Sequence, residues 1–98
     1  MITIIRYELM LITHPATEAE RQAEILDRFR ATVEGGKGAI VGVDDWGKRK
    51  LAYEIKHETE GVYTVVTFTA TPETLAEAER VLGITDEVLR FMTTRPKA

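Results

Sequence analysis

Two stretches of this chain carry both a start and a stop signal for a helix, and their placement leaves few architectures open. Thr17 followed three residues later by Glu20 has the spacing of a capping box, in which each end of the motif satisfies a free backbone N–H of the other. Beyond it Ala19, Ala23, Leu26 (with Ile25), Phe29 and Val33 recur at helical spacing with charges between them, and Gly35-Gly36 supplies the stop. Glu24 and Arg28 form a favourable four-apart pair worth ~0.3 kcal/mol. Further on, Thr71-Pro72-Glu73 places an N-cap, a first-turn proline and an acid at the positive end of a second helix. Leu75, Ala78 and Leu82 form its apolar stripe and Gly83 its far cap.

What lies outside these two segments reads as strand. Residues 4–13 are rich in Ile, Leu, Tyr and Thr, with Tyr7, Leu9, Leu11 and Thr13 on one face and Arg6, Glu8, Met10 and Ile12 on the other. Apolar side chains on both faces from Leu9 onward predict a central strand, ended by His14-Pro15. Residues 39–43 are apolar and β-branched, Asp44-Asp45-Trp46-Gly47 is a turn-like or bulge-like interruption, and Leu51, Tyr53 and Ile55 then alternate with Lys50, Glu54 and Lys56. Residues 57–61 are polar and short, a hairpin loop leading into a strand over 62–70, where Val62, Val66 and Phe68 share one face and Tyr63 and Val65 the other. Residues 88–94 make the last strand. With residues 39–55 taken as one long, interrupted strand, the order is β-α-β-β-α-β. That is an α+β, ferredoxin-like arrangement: a four-stranded antiparallel sheet with two helices on one face, the other face open or covered by a partner. At 98 residues the chain suits a single domain over 1–98, with a short flexible tail at about 94–98.

Composition narrows the function. The chain has no cysteine, serine or asparagine, so thiolate chemistry, cysteine metal sites and serine nucleophiles are excluded. Only His14 and His57 remain as imidazoles; neither they nor Asp44-Asp45 match a metal-site spacing, so no metal and no cofactor is expected. Glu18, Glu20, Glu24, Glu73 and Glu77 follow helix-surface spacing and complement the helix N-termini, which leaves acid–base catalysis without an opposed group. Gly35-Gly36-Lys37-Gly38 follows a helix and precedes a strand, the reverse of a phosphate loop. Arg6 and Glu8 interrupt the most apolar stretch, so no membrane span is expected, and no signal peptide is apparent. The formal charge of −3 conceals segregation: residues 17–34 hold five acids and three bases, and residues 72–87 five acids and one base. The rest therefore carries nine bases and six acids, net +3.

Several segments together resemble a known family, that of protein six of the bacterial small ribosomal subunit. They are Arg6-Tyr7-Glu8 in the first strand, His14-Pro15 before the helix, and Gly47-Lys48-Arg49-Lys50-Leu51-Ala52-Tyr53-Glu54-Ile55, the most distinctive. Gly61-Val62-Tyr63 and Val88-Leu89-Arg90-Phe91-Met92 add to them, so that the resemblance covers about residues 5–95. It implies the ferredoxin-like fold and a structural, non-enzymatic role in the cytoplasm, on the ribosome. It also implies two partners: the eighteenth protein of the same subunit, and the central domain of the small-subunit ribosomal RNA, which the pair binds during assembly.

The residues themselves offer candidate contacts, each with a plainer alternative. Lys48-Arg49-Lys50 is the main concentration of positive charge and can meet phosphates; it can equally be a solvated edge that deters strand-to-strand aggregation. In a regular strand Arg49 projects away from Lys48 and Lys50, unless a bulge re-aims them. Arg6, Arg90, Arg95 and Lys97 are candidates for a second basic patch, because the first and last strands neighbour each other in this topology. Alternatively Arg6 and Arg90 pair across the sheet with Glu8 or Glu87. Trp46 either stacks on a base, inserts into a partner protein, or plugs the sheet end. Tyr53 and Tyr63 are expected to pair across adjacent strands, on a face better suited to protein docking than to base stacking. A different class, a small-molecule regulatory or acylphosphatase-like domain, shares the topology, but the asparagine that the latter needs is absent.

Overall fold

The computed structural model describes residues 3–95, in the order β1 (Ile5–Thr13), α1 (Ala19–Gly35), β2 (Ala39–Ile55), β3 (Glu58–Ala70), α2 (Pro72–Gly83) and β4 (Val88–Thr94). The strands form one antiparallel sheet ordered β2-β3-β1-β4, with β1 in the interior as its two apolar faces predict. Both helices lie on one face. Tyr7, Leu9 and Leu11 of β1 and Val66 and Phe68 of β3 meet Ile25, Phe29 and Val33 of α1 and Ala78 and Leu82 of α2. Phe29 packs edge-on against Phe68 at 4.9 Å. Each such large side chain removed from water stabilises the fold by about 1.5–3 kcal/mol.

One polar network sits inside this layer. The buried Thr13 hydroxyl donates to Gln22 Oε1 at 2.8 Å, and Gln22 Nε2 donates to the buried Thr64 hydroxyl at 3.1 Å. A half-buried glutamine on α1 thus satisfies two threonines of the sheet, as buried hydroxyls require.

The helix ends differ from the sequence reading at two of four places. The capping box does not form: Glu18 occupies the N-cap without a side-chain cap bond, and the Thr17 hydroxyl is buried without a partner. The preceding turn is the cause. Ala16 N–H donates to His14 Nδ1 and Thr17 N–H to His14 O, each at 3.0 Å, which holds Thr17 one position outside the helix. At the other end the helix stops at Gly35-Gly36 as expected, with Gly36 the C-cap in a right-handed conformation (φ −95°), the left-handed position taken by Lys37 (φ 66°), and Gly38 N–H closing on Val33 O at 2.9 Å. On α2 Gly83 is the last helical residue and Ile84 the cap. The fourth end matches: Thr71 Oγ1 accepts from Thr74 N at 3.2 Å, with Pro72 opening the helix.

β2 is one strand of 17 residues, with three breaks in its pairing to β3. Ile40 opposes Phe68 but Gly42 opposes Thr67, so Val41 is an extra residue. Asp45 opposes Thr64 but Gly47 opposes Tyr63, so Trp46 is a second. Lys50 opposes Glu60 but Ile55 opposes Glu58, so residues 51–54 arch past the single residue Thr59. The expected loop over residues 57–61 is instead a two-residue turn, Lys56-His57, with both residues left-handed (φ 49° and 66°) and β3 beginning at Glu58. Two-residue hairpins favour this mirror-image turn because its twist matches that of the strands.

Candidate functional site

The sheet face away from the helices is built by the alternate residues of each strand. Met10 lies between Val65 and Met92, and Ile12 between Tyr63 and Arg90, in the β3-β1-β4 register. The arch of β2 leans over the same end, so that Met10, Ile12, Leu51, Tyr53, Tyr63 and Arg90 line a shallow groove of about 180 Å³. Tyr53 is 60% exposed, Met92 48% and Trp46 40%, an unusual display of large apolar surface for one face of a small domain.

Trp46 owes its position to its bulge. Gly47 takes a left-handed conformation (φ 76°) that a residue with a Cβ adopts only under strain, and its N–H donates to Asp45 Oδ1 at 2.9 Å. The indole lies parallel to the Tyr63 ring, 7° off and 6.4 Å away, and its Nε1 donates to Asp44 Oδ2 at 2.9 Å. The Arg49 guanidinium stands 5.4 Å from the indole centroid, and its Nε donates to Trp46 O at 3.4 Å. The result is a layered stack of guanidinium, indole and phenol on the helix-free face.

Tyr53 and Tyr63 do not pair with each other. Tyr63 takes Trp46 as its partner, whereas the arch lifts Tyr53 out of the ladder, toward Arg90 on β4. Arg90 donates from Nη1 to the Tyr53 hydroxyl, with its guanidinium carbon 6.0 Å from the ring centroid.

The basic residues are distributed rather than pooled. Lys48 opposes Val62, Arg49 opposes Gly61 and Lys50 opposes Glu60, so the bulge before them does not bring the three to one face. Arg49 joins Trp46 on the open side, while Lys48 rims a groove with Asp45, Val62, Gln22 and Leu26 beside α1. Arg6 opposes Thr69, six residues along β1 from Ile12, the neighbour of Arg90; at ~3.4 Å per residue the two arginines are about 20 Å apart. Arg95 follows Thr94, the partner of Glu8, and therefore lies at the Arg6 end. Arg6 and Arg95 are exposed, and Lys97 lies outside the described residues. One patch joining Arg6, Arg90 and Arg95 is not formed.

Nor does Glu87 pair with Arg90. Its carboxylate is held by Arg21 of α1, Nε to Oε2 at 3.0 Å and Nη2 to Oε1 at 3.1 Å. Those hydrogen bonds hold the Glu87 carboxyl below the usual carboxylate range and push Arg21 up. Among the described residues no ion pair includes Arg6, and no cluster of His, Asp and Glu is arranged to hold a metal ion.

Sequence reasoning did not single out Met10, Ile12, Leu51 or Met92 as site residues. The signal was present in β1, where Met10 and Ile12 are apolar on the face opposite the core. Chemically the face offers flat aromatic surfaces, two guanidiniums and an apolar groove, a set suited to recognition rather than to bond-making.

The family model described as Ribosomal protein S6 matches residues 6–95. Small ribosomal subunit protein bS6 of Clostridium perfringens is 42% identical over 90 residues, which cover 92% of this chain and 95% of that protein. The corresponding protein of Beutenbergia cavernae is 46% identical over 92 residues, covering 94% and 96%. The crystal structure of 30S ribosomal protein S6 from Thermotoga maritima superposes with a TM-score of 0.86 at 36% identity, covering 96% of this chain and 89% of that one.

Proposed function

The chain belongs to the ribosomal protein S6 family, a family of structural proteins of the small ribosomal subunit and not of enzymes, and from that premise we propose that it binds the central domain of the small-subunit ribosomal RNA jointly with the eighteenth protein of that subunit. It works in the cytoplasm, on the ribosome. The acylphosphatase-like reading is set aside by the same membership.

The observation that carries the proposal is the helix-free face, with its Trp46–Tyr63 stack, Tyr53 and an apolar groove left open to solvent. A monomeric domain gains nothing by leaving that surface wet, and a protein partner gives it a use. Trp46, Tyr53 and Tyr63 are assigned to the eighteenth protein. RNA contacts fall to Arg6, Lys48, Arg49, Lys50, Arg95 and Lys97, because the acidic residues of α1 and α2 repel phosphate. The excess of acid makes RNA affinity of the chain alone weak, so the partner supplies the missing positive charge.

The test is a titration of the central-domain RNA with the full chain and the eighteenth protein across a salt series. Lys48→Ala with Arg49→Ala is expected to weaken the ternary complex about tenfold and to reduce the salt slope by about two, one for each phosphate that the chain no longer neutralises. Because the two side chains leave on opposite faces, the single variants show how much each face contributes, a slope change of about one apiece. Unchanged affinity and slope in the double variant would sink the RNA assignment.

A further inference from the structure

Residues 51–54 have no ladder partner of their own, since the register passes from Lys50↔Glu60 to Ile55↔Glu58 across Thr59 alone. A backbone segment without ladder hydrogen bonds stays ordered only if its side chains anchor it. Leu51 is one anchor. It closes with Ile12 over Gly61, where an added Cβ would stand 2.5 Å from Ile12 Cγ2 and 3.6 Å from Leu51 Cδ2, so the site accepts no side chain. Tyr53 is the other, and what holds it is Arg90: a hydrogen bond from Nη1 to the phenol oxygen and a guanidinium over the ring. Arg90 in turn stands on β4 beside Ile12 of the central strand, on the far side of the groove from the arch. The contact therefore spans the groove and ties an unpaired segment to the rigid part of the sheet.

We propose that Arg90 is a positioning residue of the partner-binding face: it holds Tyr53 and the 51–54 arch in place so that the groove is preformed, rather than meeting a phosphate of the RNA. The proposal rests on the reading that the eighteenth protein docks on this face, and it explains why a basic residue sits apart from Arg6 and Arg95. Preformation matters because a face that must order its own arch on binding loses that cost from its affinity. The fork of the guanidinium suits a residue that must grip a ring and its hydroxyl together.

Two measurements on the full chain decide it. In the chain alone, Arg90→Ala is expected to lower the NMR backbone order parameters of residues 51–54 from rigid values near ~0.85 to below ~0.6. Unchanged order there overturns the proposal whatever the partner does. With the partner, Arg90→Ala and Tyr53→Phe are each expected to weaken binding of the eighteenth protein, the former about tenfold, because the arch must then be ordered on binding. The double variant is expected to be no weaker than Arg90→Ala alone, because both changes break the same interaction. Effects that multiply, or an RNA salt slope made shallower by about one in Arg90→Ala, would assign Arg90 a contact of its own instead. Trp46→Ala tests the docking reading separately: unchanged partner affinity in that variant removes the docking site, and with it any role of Arg90 in binding, even if the arch loses its order.

Discussion

Gln22 shows how much one side chain can depend on residues far from it. Its amide accepts from Thr13 and donates to Thr64, two hydroxyls at most 1% exposed. Gln22→Ala leaves both without their amide partner, and a buried hydroxyl left unsatisfied costs about 1–3 kcal/mol. Thr13 keeps only a long contact to Val62 O at 3.5 Å. A loss of about 2 kcal/mol in urea denaturation is expected. Combining Thr13→Val, Gln22→Leu and Thr64→Val is expected to recover most of it, because no polar group is then stranded. A triple variant as unstable as the single one would show that packing, not hydrogen bonding, sets the cost. Nothing in the sequence marked Gln22, since a polar residue at a helix position next to charges reads as surface. Thr17 errs in the opposite sense: its spacing promised a cap, and its hydroxyl is orphaned instead.

At the scale of elements, the β2–β3 hairpin departs most from its expected form. Its turn places Lys56 and His57 in the left-handed region, which suits glycine and asparagine and costs other residues about 1–2 kcal/mol each. Lys56 has compensation, because its Nζ donates to Val88 O at 3.3 Å. His57 has little: its side chain is 98% exposed and stands 3.9 Å from Glu54. His57→Gly is therefore expected to stabilise the chain by about 1 kcal/mol, a rise in Tm of roughly 4–8 °C for a domain of this size. A fall in Tm would mean that the histidine side chain contributes more than its backbone strain costs. The turn escaped notice in the sequence because Lys-His lacks the Asn-Gly signature, and pairing along two long strands imposes the conformation regardless.

Across the whole molecule, charge is sorted by layer. The two acidic segments lie on the helices and the turns that flank them, on one side of a sheet whose other side presents Arg49 and Arg90. One pair ties the layers together: Arg21 of α1 grips Glu87 immediately before β4, and Glu87 O also accepts from His14 N–H at 2.7 Å. Hydrogen bonding to Arg21 lowers the folded-state pKa of Glu87, so its stabilisation is complete above the unfolded carboxylate value and fades as pH falls through the folded one. Glu87→Gln is thus expected to be less stable than the parent chain at neutral pH, with the difference closing as the solution is acidified below the ordinary carboxylate range. Thermal melts over a pH series check this, and a difference that persists undiminished in acid would show the pair to be steric rather than ionic.

The order of elements, the buried stripe of α2, the Ile25-Phe29-Val33 part of that of α1 (its Ala19 and Ala23 are exposed) and the two faces of β1 and β3 were legible in the residues alone. They depend on local period and on which side chains leave water, and both are properties of neighbours in the chain. The family likeness rested on the same short-range patterns, above all the segment from Gly47 to Ile55. Pairing across the fold was not legible: that Trp46 stacks on Tyr63, that Arg90 takes Tyr53, that Arg21 takes Glu87, and that Arg6 and Arg90 stand at opposite ends of the sheet. Each of these turns on how many residues the bulges of β2 insert or on which helix turn meets which strand end. A shift of one residue in register sends a side chain to the other face, so such contacts exist only once the whole sheet has closed.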